Sequence, residues 1–212
     1  MKKKLLASML VSATVLGIFA TGGTALAAET DKRDSEVGIG FTDHIPGETP
    51  GPLEIKWAPI KLDFGTTNNT TQTTFNEKSG VKKYVVVNDT RNGATDKWDL
   101  KVNLGNLMSG PTQLTGAQLK FDAAKQGYTG TDAPEAPGSI VAPTGSAAVS
   151  AGSFTLNQGD PAVSAMADAG PGTYQGFSAL EMDNITLDVP SNAANAGKQF
   201  TGKLTWSLND TP

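Results

Sequence analysis

The chain has 212 residues, 17 Lys plus Arg against 21 Asp plus Glu for a formal charge of −4, one histidine and no cysteine. These numbers exclude disulfide stapling, thiol chemistry and a basic field able to attract nucleic acid, anionic lipid or teichoic-acid polymers. The length suits one domain with a sizeable core; two domains would each be thinly cored.

Lys2, Lys3 and Lys4 precede an apolar run from Leu5 to Ala20, and Ala25-Leu26-Ala27 follows. A basic head, an apolar stretch and an A-x-A pattern predict a secretory signal peptide over residues 1–27, cleaved before Ala28. The apolar run is short for a membrane span. Its removal takes away three lysines and no acid, leaving 14 basic against 21 acidic side chains, a formal charge of −7. No later segment predicts membrane insertion, and without cysteine no lipidated thiol is available. Residues 205–212 carry neither a hydrophobic tail nor a sorting signal, so folded contacts are expected to hold the protein at a surface.

Residues 28–50 are polar and acidic, contain Pro46 and Pro50, and lack apolar periodicity, which predicts a flexible N-terminal spacer. The folded domain is expected over residues 51–212. Leu53, Ile55 and Trp57 alternate with Glu54, Lys56 and Ala58. Tyr84-Val85-Val86-Val87 is apolar on both faces, as a central strand requires. Asn92-Gly93 is a turn signal, so this strand is expected to form a hairpin with the next. That next strand alternates Trp98, Leu100, Val102 and Leu104 with Lys97, Asp99, Lys101 and Asn103. Leu119 and Phe121 follow Leu114-Thr115-Gly116 as a further strand, and shorter patches occur near Ile140, Ala148 and Phe154. Residues 162–169 read as a helical turn or a loop. Ile185, Leu187 and Val189 alternate again, and the last segment sets Phe200, Gly202, Leu204, Trp206 and Leu208 against Thr201, Lys203, Thr205, Ser207 and Asn209. Strict period-2 patterning without helical periodicity predicts an all-β fold, an antiparallel β-sandwich or barrel-like single domain with long Gly/Pro-containing loops.

The chemical inventory points away from catalysis. The single His44 lies in the expected spacer, so a Ser-His-Asp triad is not expected, and a Cys-His pair is impossible. No G-x-S-x-G elbow, phosphate-cradling loop or H-E-x-x-H helix occurs. One histidine and no cysteine leave zinc without a ligand set. Asp63, Asp122, Glu181 and Asp183 are the carboxylates a glycosidase would draw on, but an acidic surface supplies such residues as solvated strand faces. Asn88, Thr90, Asn92, Gly93, Asp96 and Asp99 echo a calcium loop, yet the first ligand is an amide, the twelfth is Asp99, and no helices flank it. No catalytic residue, metal or cofactor is expected.

Two Trp-x-Leu motifs, Trp98-Asp99-Leu100 and Trp206-Ser207-Leu208, stand out, the second within Phe200-x-x-x-Leu204-Thr205-Trp206-x-Leu208-x-x-x-Pro212. With Leu62-Asp63-Phe64-Gly65, Val86-Val87-Asn88-Asp89-Thr90-Arg91 and Leu114-Thr115-Gly116-Ala117-Gln118-Leu119, this ordered set resembles the WxL surface family of Gram-positive bacteria. Its distal motif is Y-x-x-x-L-T-W-x-L-x-x-x-P; Phe200 replaces the tyrosine and keeps the aromatic ring without its hydroxyl. The resemblance implies a non-enzymatic, secreted protein at the extracellular face of the cell wall, attached non-covalently by peptidoglycan binding. It also implies a membrane-anchored partner that binds both wall and WxL domains, together with other WxL proteins. The alternative is therefore a subunit of a surface complex, held by that partner rather than by direct peptidoglycan contact.

Trp98, Leu100, Trp206 and Leu208 are the candidate binding residues on this resemblance, with Asn88, Asp89 and Arg91 associated. The indoles suit stacking on sugars or partner side chains, but alternation places each with Leu, Val or Phe, as in a core. In the latter case binding residues lie in loops or on polar strand faces. Asn88, Asp89 and Arg91 have the same two readings, since such a run at a strand end also closes a turn.

Overall fold

The computed structural model describes residues 29–36, 44–46, 51–92, 96–130, 132–143, 148–149, 152–168, 175–191, 193 and 196–211. The expected signal peptide, the turn glycine Gly93 and Pro212 lie outside these residues. Among the described residues fifteen strands are formed: β1 (Glu29–Glu36), β2 (His44–Pro46), β3 (Leu53–Pro59), β4 (Thr74–Asn76), β5 (Lys83–Asp89), β6 (Lys97–Leu104), β7 (Met108–Ser109), β8 (Thr112–Gln113), β9 (Gln118–Tyr128), β10 (Ile140–Val141), β11 (Ala148–Val149), β12 (Gly152–Asn157), β13 (Val163–Asp168), β14 (Gly176–Asp188) and β15 (Lys203–Thr211).

Two antiparallel sheets account for most of them. One has the order β1-β15-β6-β13-β11; the other runs β10-β9-β14-β5-β3-β2, with β12 on β9 and β4 on β14. Their facing sides share one hydrophobic core that includes Ile55, Val85, Val87, Leu119, Phe121 and Leu180 from the larger sheet and Trp98, Leu100, Val102, Leu204, Trp206 and Leu208 from the smaller. The fold is an all-β sandwich with no closed barrel. The alternating segments become half-buried strands because one face meets the opposite sheet and the other meets water. β6 shows this most cleanly, with every second side chain buried from Trp98 to Leu104.

β5 is central. Val85 and Val87 enter the main core, while Val86 joins a smaller cluster on the outer face with Tyr128 and Ala179, against which Trp57 and Phe177 pack. This cluster departs from the simple alternation of Leu53, Ile55 and Trp57. A β-bulge between Ile55 and Trp57 pairs Ile55 with Val87 but Trp57 with Val86, so one extra residue sends the indole to the outer face. There Trp57 Nε1 donates to Tyr128 Oη at 2.8 Å.

Three further expectations are corrected. β5 and β6 do not form a hairpin: they belong to different sheets, and the connection between them crosses the sandwich. β5 takes β3 and β14 as neighbours, because a strand apolar on both faces needs cover on both. Residues 163–168 are neither helical turn nor loop but strand β13, paired with β6 from Val163↔Val102 to Asp168↔Trp98. Small residues such as Ala165 and Ala167 have weak strand preference of their own; the exposed backbone edge of β6 supplies the order. Finally, the segment read as a spacer contains β1, paired along β15, and β2, paired with β3. Main-chain pairing needs no apolar periodicity, which is why composition did not mark it. His44 in β2 is buried; its Nε2 accepts the Tyr84 N–H at 2.9 Å and its Nδ1 lies 2.6 Å from Glu135 Oε2.

Candidate functional site

The two Trp-x-Leu motifs lie side by side on the adjacent strands β6 and β15. Leu100 pairs with Leu208, Trp206 with Val102, and Asp210 with Trp98, so the motifs are arranged about the Leu100–Leu208 pair in antiparallel symmetry. All four side chains face the opposite sheet. Trp98 is 1% and Trp206 0% exposed, and Leu100 and Leu208 are equally inaccessible. An indole in that position packs the sandwich and reaches no external ligand without rearrangement of the fold. Neither Nε1 finds an acceptor among the described residues.

Asp89 and Arg91 form a clamp at one end of the sandwich, while the neighbouring Asn88 bonds elsewhere. Arg91 grips Asp89 through Nε and Nη2 at 2.9 and 2.8 Å, reaches Asp210 with Nη1 at 2.5 Å, and donates from Nη2 to the Lys97 carbonyl at 3.0 Å. One guanidinium thus joins β5 of one sheet to β6 and β15 of the other, where the chain crosses between them. The two carboxylates push the already high Arg91 pKa higher still, Asp89 contributing most. Asn88 donates to Glu54 Oε1 at 3.2 Å across the β3–β5 pair. Of the residues in the calcium-like spacing, Asn88 and Asp99 serve different partners: Asp99 accepts from Ser164 Oγ at 2.6 Å.

The carboxylates available to a hydrolase are similarly occupied. Glu181 accepts from Lys82 at 2.6 Å and from Tyr84 Oη and Gln126 Nε2 at 3.3 Å each. Asp183 shares Lys82 at 3.4 Å, and Asp122 takes Asn184 Nδ2 at 2.7 Å and Ser153 Oγ at 2.8 Å. These hydrogen bonds hold the Asp122 carboxyl below its usual range. Burial, reinforced by Glu181, raises the Tyr84 phenol.

The opposite end of the sandwich is open. A groove of about 720 Å³ lies where the chain leaves β3, β6 and β14 and enters β15. Leu62, Asp63, Phe64 and Gly65 form one wall, Leu107 and Leu114 part of the floor, and Lys198, Gln199 and Phe200 the facing side. Three of the sequence segments that carry the family resemblance therefore meet here: Leu62–Gly65, the start of Leu114–Leu119, and Phe200 at the head of the distal motif. The two tryptophans do not line it. Gly65 shapes the wall: its φ of +88° permits the turn, and a Cβ there would sit 2.9 Å from Lys78 Cε. The Asp63 carboxylate accepts the Gly65 N–H at 2.8 Å, and Asn68 Nδ2 donates to the Phe64 carbonyl at 2.8 Å, fixing the loop from inside. Gly202 serves the same end by close approach, since a Cβ would meet Leu107 Cδ2 at 2.6 Å.

The rim is polar and largely neutral. Thr66, Thr70, Ser109 and Gln199 bring hydroxyl and amide groups that have no side-chain hydrogen-bond partner among the described residues. Sequence reading did not identify this rim, because its members come from two loops and the two-residue strand β7, none with periodicity. The run Thr66-Thr67-Asn68-Asn69-Thr70-Thr71 was the available signal, a dense hydrogen-bonding loop directly after Leu62–Gly65.

The chain thus combines a cysteine-free β-sandwich, a sealed core holding both tryptophans and an open, polar-rimmed groove at one end. The chain belongs to the WxL family: the family model, described as WxL domain surface cell wall-binding, matches residues 34–212. No curated protein and no solved structure gives a match. Membership makes this a cell-surface, cell wall-binding protein. Among the described residues no helix is long and apolar enough to cross a membrane.

Proposed function

We propose that the chain is a non-enzymatic protein held at the extracellular face of the wall by direct, non-covalent peptidoglycan binding, and that the end groove makes the contact. The observation that carries this reading is the division of labour among the motif residues. The Trp-x-Leu pairs are consumed by the core, whereas Leu62–Gly65, Leu114 and Phe200 converge on a large concave surface among the described residues. A concave site with an apolar floor and convergent polar groups is the usual form of a binding site. The non-enzymatic reading is supported by carboxylates engaged in strand-to-strand bonds and by a His44 buried with both ring nitrogens facing protein groups. Binding to a wall that carries anionic polymers must overcome a net negative charge, so short-range contacts in the groove supply the affinity.

The test is co-sedimentation of the purified secreted chain, residues 28–212, with sacculi stripped of protein and teichoic acid. Saturable sedimentation competed by soluble muropeptides is the expected result. A folded protein that stays in the supernatant would reject direct attachment and transfer the anchoring role to a membrane-bound partner protein.

A further inference from the structure

Resting on that reading of direct wall attachment, we infer that the groove takes the uncharged N-acetylated glycan strand of the wall, not its peptides or its phosphate polymers. Its volume of about 720 Å³ is that of a site for a short oligosaccharide or comparable ligand. Phe200, half-buried at the mouth, presents an aromatic ring of the kind that packs against the C–H face of a pyranose. The buried floor residues Leu107 and Leu114, with Phe64 of the adjoining wall, give an apolar lining suited to an acetyl methyl group. Around it the open hydroxyls of Thr66, Thr70 and Ser109 and the amide of Gln199 match sugar hydroxyls and acetamido groups, being neutral and able both to donate and to accept.

Charge decides between glycan and its rivals. Among the described residues two ionised side chains line the groove, and both are engaged: Asp63 with the Gly65 N–H and, at 3.4 Å, with Lys61 Nζ, and Lys198 with Thr112 Oγ1 at 2.7 Å. No arginine among the described residues lines it to grasp the carboxylates of a wall peptide or the phosphates of a polymer. An uncharged sugar chain displaces none of these pairs and loses no ionic hydration on entry.

Oligomers of N-acetylglucosamine and an acetylated wall stem peptide, each titrated into the full secreted chain by calorimetry, provide the test, alongside sacculus co-sedimentation. The sugar oligomer is expected to bind saturably and to compete with sacculi, while the peptide does neither. Phe200→Ala and Gln199→Ala, both checked for folding by circular dichroism, should weaken sugar binding, the former by about tenfold. Phe200→Tyr, which keeps the ring, should retain it. Sedimentation with sacculi but no sugar binding, or competition by the peptide instead, overturns the glycan assignment and leaves direct wall attachment standing. Sugar binding unchanged in both folded Phe200→Ala and Gln199→Ala overturns the groove as its location. Failure of sedimentation and of sugar binding together rejects both readings.

Discussion

Replacing the motif tryptophans separates packing from contact. Trp98 and Trp206 are among the largest fully buried side chains, and both sit in the shared core. Truncation to alanine removes an entire indole from between the sheets, a loss of about 3–5 kcal/mol. For a chain of this size each kcal/mol lowers the melting temperature by about 2–4 °C, so Trp206→Ala should melt roughly 6–20 °C below the wild type. Phenylalanine is the informative substitution. It keeps a ring in the core and deletes an Nε1–H that has no acceptor among the described residues. An unpartnered buried donor costs about 1–3 kcal/mol, which offsets much of the lost packing, so Trp206→Phe should fall within about 2 kcal/mol of the wild type. Urea unfolding followed by circular dichroism gives the stabilities, and sacculus co-sedimentation gives the function. The expected pattern is that binding tracks the folded fraction: intact in Trp206→Phe, lost in Trp206→Ala only as the protein unfolds. A Trp206→Phe protein of undiminished stability that no longer sediments would refute the core assignment and restore the indole as a contact residue.

Arg91→Ala strands the nearly inaccessible Asp89 carboxylate and severs the tie between sheets, so a loss of about 3 kcal/mol is expected in urea unfolding; Arg91→Lys should recover only part of it, lacking the fork. Asp188 is held below its ordinary pKa of 3.8 by hydrogen bonds, chiefly from Lys120 and secondarily from Thr74. Because the folded pKa is depressed, its stabilisation is full above 3.8 and disappears as pH falls through the lower folded value; Asp188→Asn should flatten the melting temperature across that acid window. Gly65→Ala forces a β-carbon into a left-handed turn, costing about 1 kcal/mol, and moves the groove wall against Lys78 and Asn68. Its melting point should drop by only about 2–4 °C while sacculus binding weakens more than that small loss explains.

What the sequence made legible follows from which physical signal each element uses. Strands with one dry face announce themselves by alternation, and β6 was readable residue by residue and β15 from Leu204 onward for that reason, whereas Phe200 and Gly202 precede the strand. Trp57 was misread because a single inserted residue inverts every later side chain, and a bulge leaves no compositional mark. The hairpin expected at Asn92-Gly93 failed because a turn signal reports a local reversal, not which sheet receives the returning strand. β13 and β1 are ordered chiefly by neighbours' backbone edges, information that resides elsewhere in the chain. The groove was partly visible through Leu62–Gly65 and Phe200, which the family pattern singled out. Its rim was not, because loops from distant positions converge only after the two sheets have closed.

The position of β15 has a consequence for how the molecule is made. This strand lies inside its sheet, between β1 and β6, although it follows every other described strand in sequence. Until it arrives, β6 presents a bare edge, Trp98 lacks part of its surroundings, and β1 has nothing to pair with. The smaller sheet therefore cannot close without β15, and the closing contact joins Leu100 to a partner more than a hundred residues away. Such long-range closure is slow. Because β1 and β6 both depend on the same strand, the smaller sheet is expected to form as one cooperative unit, not strand by strand.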